Sequence, residues 1–161
     1  MKKIIKFLHL AKCMAEHSDV YKYKHGACIV KKGKILSMGF NQYKTHPLQK
    51  KYDVNRVFYE YVTNNTHYIH AEIKALTKLK NMDLSDCEIY VYRLGCNGKH
   101  AISRPCAACM SAIINSGIKK IIYTTDTGYV VEHINSDVMK EVLMNTIEKP
   151  QKTNVKSKLK K

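Results

Sequence analysis

The chain has 161 residues, 45% hydrophobic and 25% charged; that suits one domain with one sizeable core and excludes a globally disordered chain. No stretch reaches the roughly 18 apolar residues of a membrane span. The formal charge of +15 suits a nucleotide or nucleic-acid partner, although Lys, Ile, Asn and Tyr are enriched together, as biased base composition alone produces.

The opening MKKIIKFLHLAKCMA has a basic start like a signal peptide. However, Lys6, His9 and Lys12 interrupt its apolar run and no cleavage site follows. It reads as a helix over 3–17 with Ile4, Leu8, Ala11 and Ala15 facing inward. HGACIVKKGKILSMGF, His25 to Phe40, is two apolar runs around KKGK, a hairpin signal. Residues 41–67 read as a long polar connection of the kind that often borders a binding site. Residues 69–80 read as an amphipathic helix. CEIYVYR, Cys87 to Arg93, alternates and is rich in strand formers. Residues 94–104 form a Gly-containing loop. Residues 106–116 read as a helix that Gly117 stops, and Lys119 to Thr125 as a strand. DTG then joins that strand to YVVEHI, so the last two strands form an antiparallel hairpin. Ser136 is the expected cap of a final helix to about Met144. The order α-β-β-α-β-α-β-β-α predicts a three-layer α/β/α sandwich around a mixed five-stranded sheet. Residues 1–145 form the domain. The Lys-rich tail 146–161 reads as disordered, and most of the positive charge lies outside it.

Two stretches carry chemistry. In SRPCAAC, Cys106 and Cys109 stand three apart at a helix start, so they share one face. The helix N-terminus favours their negative charge. Six cysteines without a secretory signal point to a reducing, cytoplasmic compartment and to thiols used for packing or metal. Catalytic zinc takes three protein ligands and leaves one position open. In YIHAEIKAL, His70 is the candidate third ligand, also at a helix start. Glu72 is then free to carry protons rather than bind the ion. Cys13, Cys28, Cys87 and Cys96 read as core or loop residues, as do His25 and His67 as loop histidines.

His70-Ala71-Glu72 followed by Pro105-Cys106-Ala107-Ala108-Cys109 resembles the cytidine/deoxycytidylate deaminase superfamily. The likeness in element order runs from residue 3 to about 125. It implies zinc (Zn2+) held by His70, Cys106 and Cys109, a zinc-bound hydroxide as nucleophile, and Glu72 as general acid/base. It further implies that the Ala71 backbone helps hold the target base and that Asn41, in GFN, contacts the sugar. His46 and Tyr123 are weaker substrate-contact candidates.

Three branches of the superfamily compete for the substrate. The stretch RPCAACMSAIINSGIKKIIY resembles deoxycytidylate deaminases, which act on a free nucleotide. Gly39-Phe40-Asn41-Gln42 departs from their GYNG-type stretch. The tRNA adenosine deaminases usually carry Glu where this chain has Arg104. The single-stranded DNA or RNA cytosine deaminases favour Trp, which is absent here, although Phe58, Tyr59 and Tyr61 of FYEYV offer stacking surfaces. An antiparallel last strand resembles the free cytidine deaminases, yet those usually have Gly at the position of Ala107. The resulting expectation is hydrolytic deamination of cytosine in a free nucleotide or nucleoside. Nucleic acid stands as the alternative substrate, and a non-catalytic zinc or nucleic-acid-binding module as the alternative of another class. No membrane partner is expected, and a homo-oligomer is compatible with the resemblance.

Overall fold

The computed structural model describes residues 1–55, 68–135 and 137–140. Helix α1 spans Lys2–Glu16. Strands β1, Lys24–Lys31, and β2, Lys34–Phe40, follow as the expected hairpin, paired antiparallel. Next come β3, Gln42–Thr45, and helix α2, Pro47–Asp53. Strand β4 is only Tyr68–Ile69 and pairs with β3; helix α3 then runs Ala71–Thr77. Strand β5 is Cys87–Leu94, with the two-residue β6, His100–Ala101, folded back on its end. Helix α4, Ala107–Asn115, precedes β7, Lys120–Thr124, and β8, Tyr129–His133.

The main sheet has the order β2-β1-β5-β7-β8. Only β5 and β7 are parallel, and the connection between them carries α4; a parallel pair needs such a crossover. β7 and β8 are antiparallel, as the three-residue DTG loop requires. The five expected strands make the continuous path, and β6 adds a sixth.

Residues 26–30 of β1 are buried without a break, because both faces of the sheet are covered. Alternation then sorts each strand between two cores. Ala27, Ile29, Ile89, Val91, Ile121 and Tyr123 face the layer of α2, α3 and α4. Cys28, Val30, Tyr90 and Ile122 face Phe7, Leu8 and Ala11 of α1. This is the predicted three-layer sandwich. On α1, Phe7 joins the predicted inward residues Leu8, Ala11 and Ala15, while Ile4 is only partly buried. Among the described residues no helix is long and apolar enough to cross a membrane.

Two local readings differ. The connection at 41–67 holds β3 and α2, because His46 caps α2 and Pro47 occupies its first turn, where a fixed φ is already helical. Tyr68 and Ile69 belong to a strand rather than to the helix, since His70 is extended (φ −81°, ψ 156°) as the residue before α3. At the far end Asn135 Oδ1 accepts from the amides of Asp137 and Val138. Ser136, the FYEYV aromatics, the domain end at 145 and the tail 146–161 all lie outside the described residues.

Gly39 decides how α3 meets the sheet. A methyl group there would run into the carbonyl oxygen of Ala71 and approach the amide of Ala75 to 2.6 Å. The backbone of α3 therefore lies directly on β2. Ser37 Oγ ties it down by donating to the Ala75 carbonyl at 2.7 Å. Gly39→Ala should cost at least ~1–3 kcal/mol, the range for overpacking, read as a lower denaturation midpoint. A neutral result would mean that α3 can slide freely, and His70 with it.

Candidate active site

The two helix starts that carry the site break the usual capping rule. N-cap positions favour Ser, Thr, Asp and Asn. Here His70 caps α3 and Cys106 caps α4 in extended conformation, and neither side chain makes a capping hydrogen bond. Both side chains are thereby turned toward each other. Cys109 lies one turn into α4 and is fully buried. The loop before Pro105 is pinned by Ser103: its Oγ donates to the Val91 carbonyl at 2.9 Å, and its amide donates to the Thr124 carbonyl at 2.9 Å. Cys106 is thus placed relative to β5 and β7, and His70 relative to β2.

The Nδ1 atom of His70 stands 3.6 Å from Cys106 Sγ and 3.3 Å from Cys109 Sγ. The three donor atoms lie within 4.8 Å of one another. A tetrahedral zinc with Zn–S near 2.3 Å and Zn–N near 2.05 Å separates N and S ligand atoms by about 3.6 Å. The observed spacings match that polyhedron. Among the described residues no fourth His, Cys, Asp or Glu joins the group, so the set is three-ligand with a position to spare. One nitrogen and two sulfurs suit zinc. The thiols themselves behave as a coupled pair. The hydrogen bond from Cys109 pulls Cys106 well below the ordinary thiol range, and burial pushes Cys109 well above it. Two thiolates together at this depth need a cation.

Glu72 is 4% exposed and stands outside the ligand group. Burial raises its proton affinity above the usual carboxylate range. It lines a cleft of about 330 Å³ together with His70, Ala71, Cys106 and Asn41, which is within the size range of small-ligand sites. A larger depression of about 710 Å³ lies between α1 and the 95–101 loop; it contains none of these groups.

The predicted contacts divide. Asn41 and Ala71 are at the cleft. His46 is not: its Nδ1 accepts from the Leu48 amide at 3.1 Å as the cap of α2. The ring of Tyr123, 8% exposed, packs in the core beneath α3 and α4, while its hydroxyl reaches Glu132 and Arg104 at the rim. Conversely, Val20, Tyr23, His25, Tyr68 and Arg104 line the cleft. Tyr68 meets Tyr43 edge-on at 4.7 Å. Arg104 is held at the rim by a bidentate pair with Glu132, at 2.9 and 2.7 Å.

One supporting residue had no sequence signal at all. Gln49 of α2 is fully buried. Its Oε1 accepts from the backbone N–H of His70 at 2.9 Å, and its Nε2 donates to Asp53 Oδ1 at 2.7 Å. It therefore fixes the backbone from which the histidine projects. Gln49→Leu leaves that N–H buried without its acceptor, at a cost of about 1–3 kcal/mol. Zinc affinity should fall about 10–100-fold, as for outer-shell partners generally. Competition against a chromogenic chelator measures it; unchanged affinity would mean that the His70 backbone needs no support.

Fold and site together define an α/β/α domain with a His-Cys-Cys group able to hold a metal ion. Residues 1–125 match the family described as "Cytidine and deoxycytidylate deaminase zinc-binding region", and the chain belongs to that family. It is 29% identical over 130 residues to a deoxycytidylate deaminase of Mycobacterium phage D29, covering 75% of this chain and 93% of that one. It is 27% identical over 122 residues to a deoxycytidylate deaminase of Pongo abelii, covering 74% of this chain. The match spans only 63% of the length of that relative. The fold is shared with the dCMP deaminase of cyanophage S-TIM5 (TM-score 0.56, 23% identity, 88% and 92% of the two chains). It is shared also with a cytidine deaminase of Burkholderia pseudomallei (TM-score 0.55, 19% identity, 80% and 91%).

Proposed function

We propose that the chain is a hydrolytic deaminase that converts cytosine to uracil in a free nucleotide, with zinc at His70, Cys106 and Cys109. The observation that carries this reading is the three-ligand set with a buried carboxylate beside it but outside it. A structural zinc site closes with four protein ligands and has no use for Glu72. A zinc ion bound there lowers the pKa of a water toward neutrality and so supplies a nucleophile at ordinary pH.

The protein's own groups do the rest. Glu72 takes the proton from the attacking water and hands it to the amine that leaves C4 of the ring as ammonia. Burial raises its proton affinity, which brings its pKa nearer the working pH and makes both transfers favourable. Val20 and Ile69, both buried, give the cleft apolar walls for a planar base. Arg104, oriented at the rim by its pair with Glu132, presents a planar guanidinium of the kind that binds phosphate.

Support for a nucleotide rather than a nucleoside comes from Arg104 and from the deoxycytidylate deaminases among the relatives. The test is kcat/KM across cytidine, deoxycytidine, their monophosphates, and single-stranded DNA and RNA. The monophosphates should be favoured, and Arg104→Gln should erase that advantage while leaving the nucleosides unaffected. Activity confined to the polymers would overturn the reading.

A further inference from the structure

Strand β8 ends the sheet, and among the described residues no strand pairs with its outer edge. Proteins usually guard such an edge with lysine, proline or a bulge, because its free backbone groups can pair with another chain. This chain has 28 Lys and Arg residues, yet none falls between Lys120 and Lys140. Tyr129–His133 contains no proline, and its pairing with β7 runs without a register shift. Val130 and Val131 are 38% and 37% exposed. The free edge is therefore also the stretch that the positive charge avoids.

The ladder with β7 fixes which backbone groups of β8 are free. The Thr125 amide donates to the Gly128 carbonyl at 2.9 Å, and the Ile134 amide to the Lys119 carbonyl at 2.8 Å. Hydrogen-bonded pairs alternate along an antiparallel ladder. Between those two pairs, Val130 opposite Tyr123 and Glu132 opposite Ile121 are therefore turned inward to β7. Tyr129, Val131 and His133 aim their N–H and C=O groups outward.

That pattern is complementary to itself. A second copy laid antiparallel about a two-fold axis at Val131 sets Val131 against Val131 and Tyr129 against His133. Every outward group then meets its counterpart. A slip of one residue sets outward groups against inward ones and forms no ladder. The side chains agree with this register. On one face Val130 meets Glu132, whose carboxylate is engaged by Arg104 of its own chain at 2.7 Å. On the other, Tyr129 and Val131 extend the apolar surface beside α1, where Ile5 is 52% exposed. No like charges stand opposite one another. A chain of formal charge +15 repels its copy over most of its surface, and this edge brings no lysine to meet another. We propose that the chain forms a symmetric dimer by pairing β8 with β8 of a second copy, which joins the two sheets into one. The second copy then lies beside Glu132, and so beside the Arg104 rim of the cleft.

The test is sedimentation velocity with residue-resolved hydrogen exchange on the zinc-loaded full chain. A strand pair is a small interface, so the wild type should show an association step at about 10–100 µM. Across that step the amides of Tyr129, Val131 and His133 should exchange about tenfold more slowly, while those of Val130, Glu132 and Ile134, already bonded to β7, stay unchanged. Val131→Lys replaces an exposed side chain, which leaves folding nearly unaffected, and sets two like charges face to face at the axis. It should lack the step and the slowing. A wild type with no association step in that range overturns the proposal. A Val131→Lys protein that associates like the wild type overturns it by placing the contact elsewhere. Protection of the three outward amides that does not change with concentration overturns it too, by placing the chain's own residues 141–161 on the edge.

Discussion

Glu72→Gln should lower cytosine deamination by about 10²–10⁴-fold, the usual contribution of a positioned acid/base, while leaving zinc stoichiometry unchanged. The separation follows from where the residue stands. Glu72 is on the first turn of α3, two residues past His70, yet outside the group of ligand atoms. Glutamine keeps its shape and can still donate and accept hydrogen bonds, but it cannot carry a proton between the water and the leaving amine. Burying a carboxyl group has a desolvation cost, and glutamine relieves it. The melting temperature should therefore hold or rise as the rate collapses. The checks are ammonia release, bound zinc per chain and a thermal melt on one preparation. A Glu72→Gln protein that turns over at the wild-type rate would remove Glu72 from the mechanism. One that loses its zinc would make Glu72 a ligand instead.

Cys109→Ala should abolish stoichiometric zinc binding and lower the melting temperature by roughly 8–16 °C. The figure rests on linkage: an ion present at a thousand times its dissociation constant stabilises the folded state by about 4 kcal/mol. A chain of this length shifts by roughly 2–4 °C per kcal/mol. Cys109 is the best ligand to remove because it is fully buried in α4, so no solvent-exposed group can replace it. Zinc uptake must also displace the proton that burial holds on its thiol, and binding should therefore weaken as pH falls. The wild type stripped by a chelator should melt at the temperature of the Cys109→Ala protein. If the two melts differ widely, the loss in the variant comes from packing rather than from the metal.

Much of the fold could be read from the residues because its signals are periodic. Strands β1, β5 and β7 alternate between two cores, so their runs of Ile, Val and Tyr are unbroken and conspicuous. KKGK and DTG mark hairpins that the sheet indeed contains. The group of His70, Cys106 and Cys109 was legible for a different reason: Cys106 and Cys109 share one helix face, and His70-Ala71-Glu72 with Pro105-Cys106-Ala107-Ala108-Cys109 forms two short motifs that spacing along the chain does encode.

The unread parts are short or depend on tertiary contact. Helix α2 has seven residues, too few to show a period. Its start could have been found from Pro47, since proline favours the first helical position; the unusual cap, His46, concealed it and suggested a substrate contact instead. Gln49 has no pattern around it, and only the position of the His70 amide explains its burial. Tyr68 and His25 reach the cleft through pairing with other strands, which spacing along the chain does not encode. Tyr123 alternates correctly as a strand residue, and that alternation turns its ring into the core beneath α3 and α4.

The most direct measurement is the product formed when the zinc-loaded chain is incubated with deoxycytidine monophosphate. Mass spectrometry should find deoxyuridine monophosphate, with one ammonia released per nucleotide converted, and neither should appear with Cys109→Ala or Glu72→Gln at the same concentration. A folded, fully zinc-loaded wild type that releases no ammonia from deoxycytidine monophosphate or from any other cytosine nucleotide or nucleoside would contradict the account.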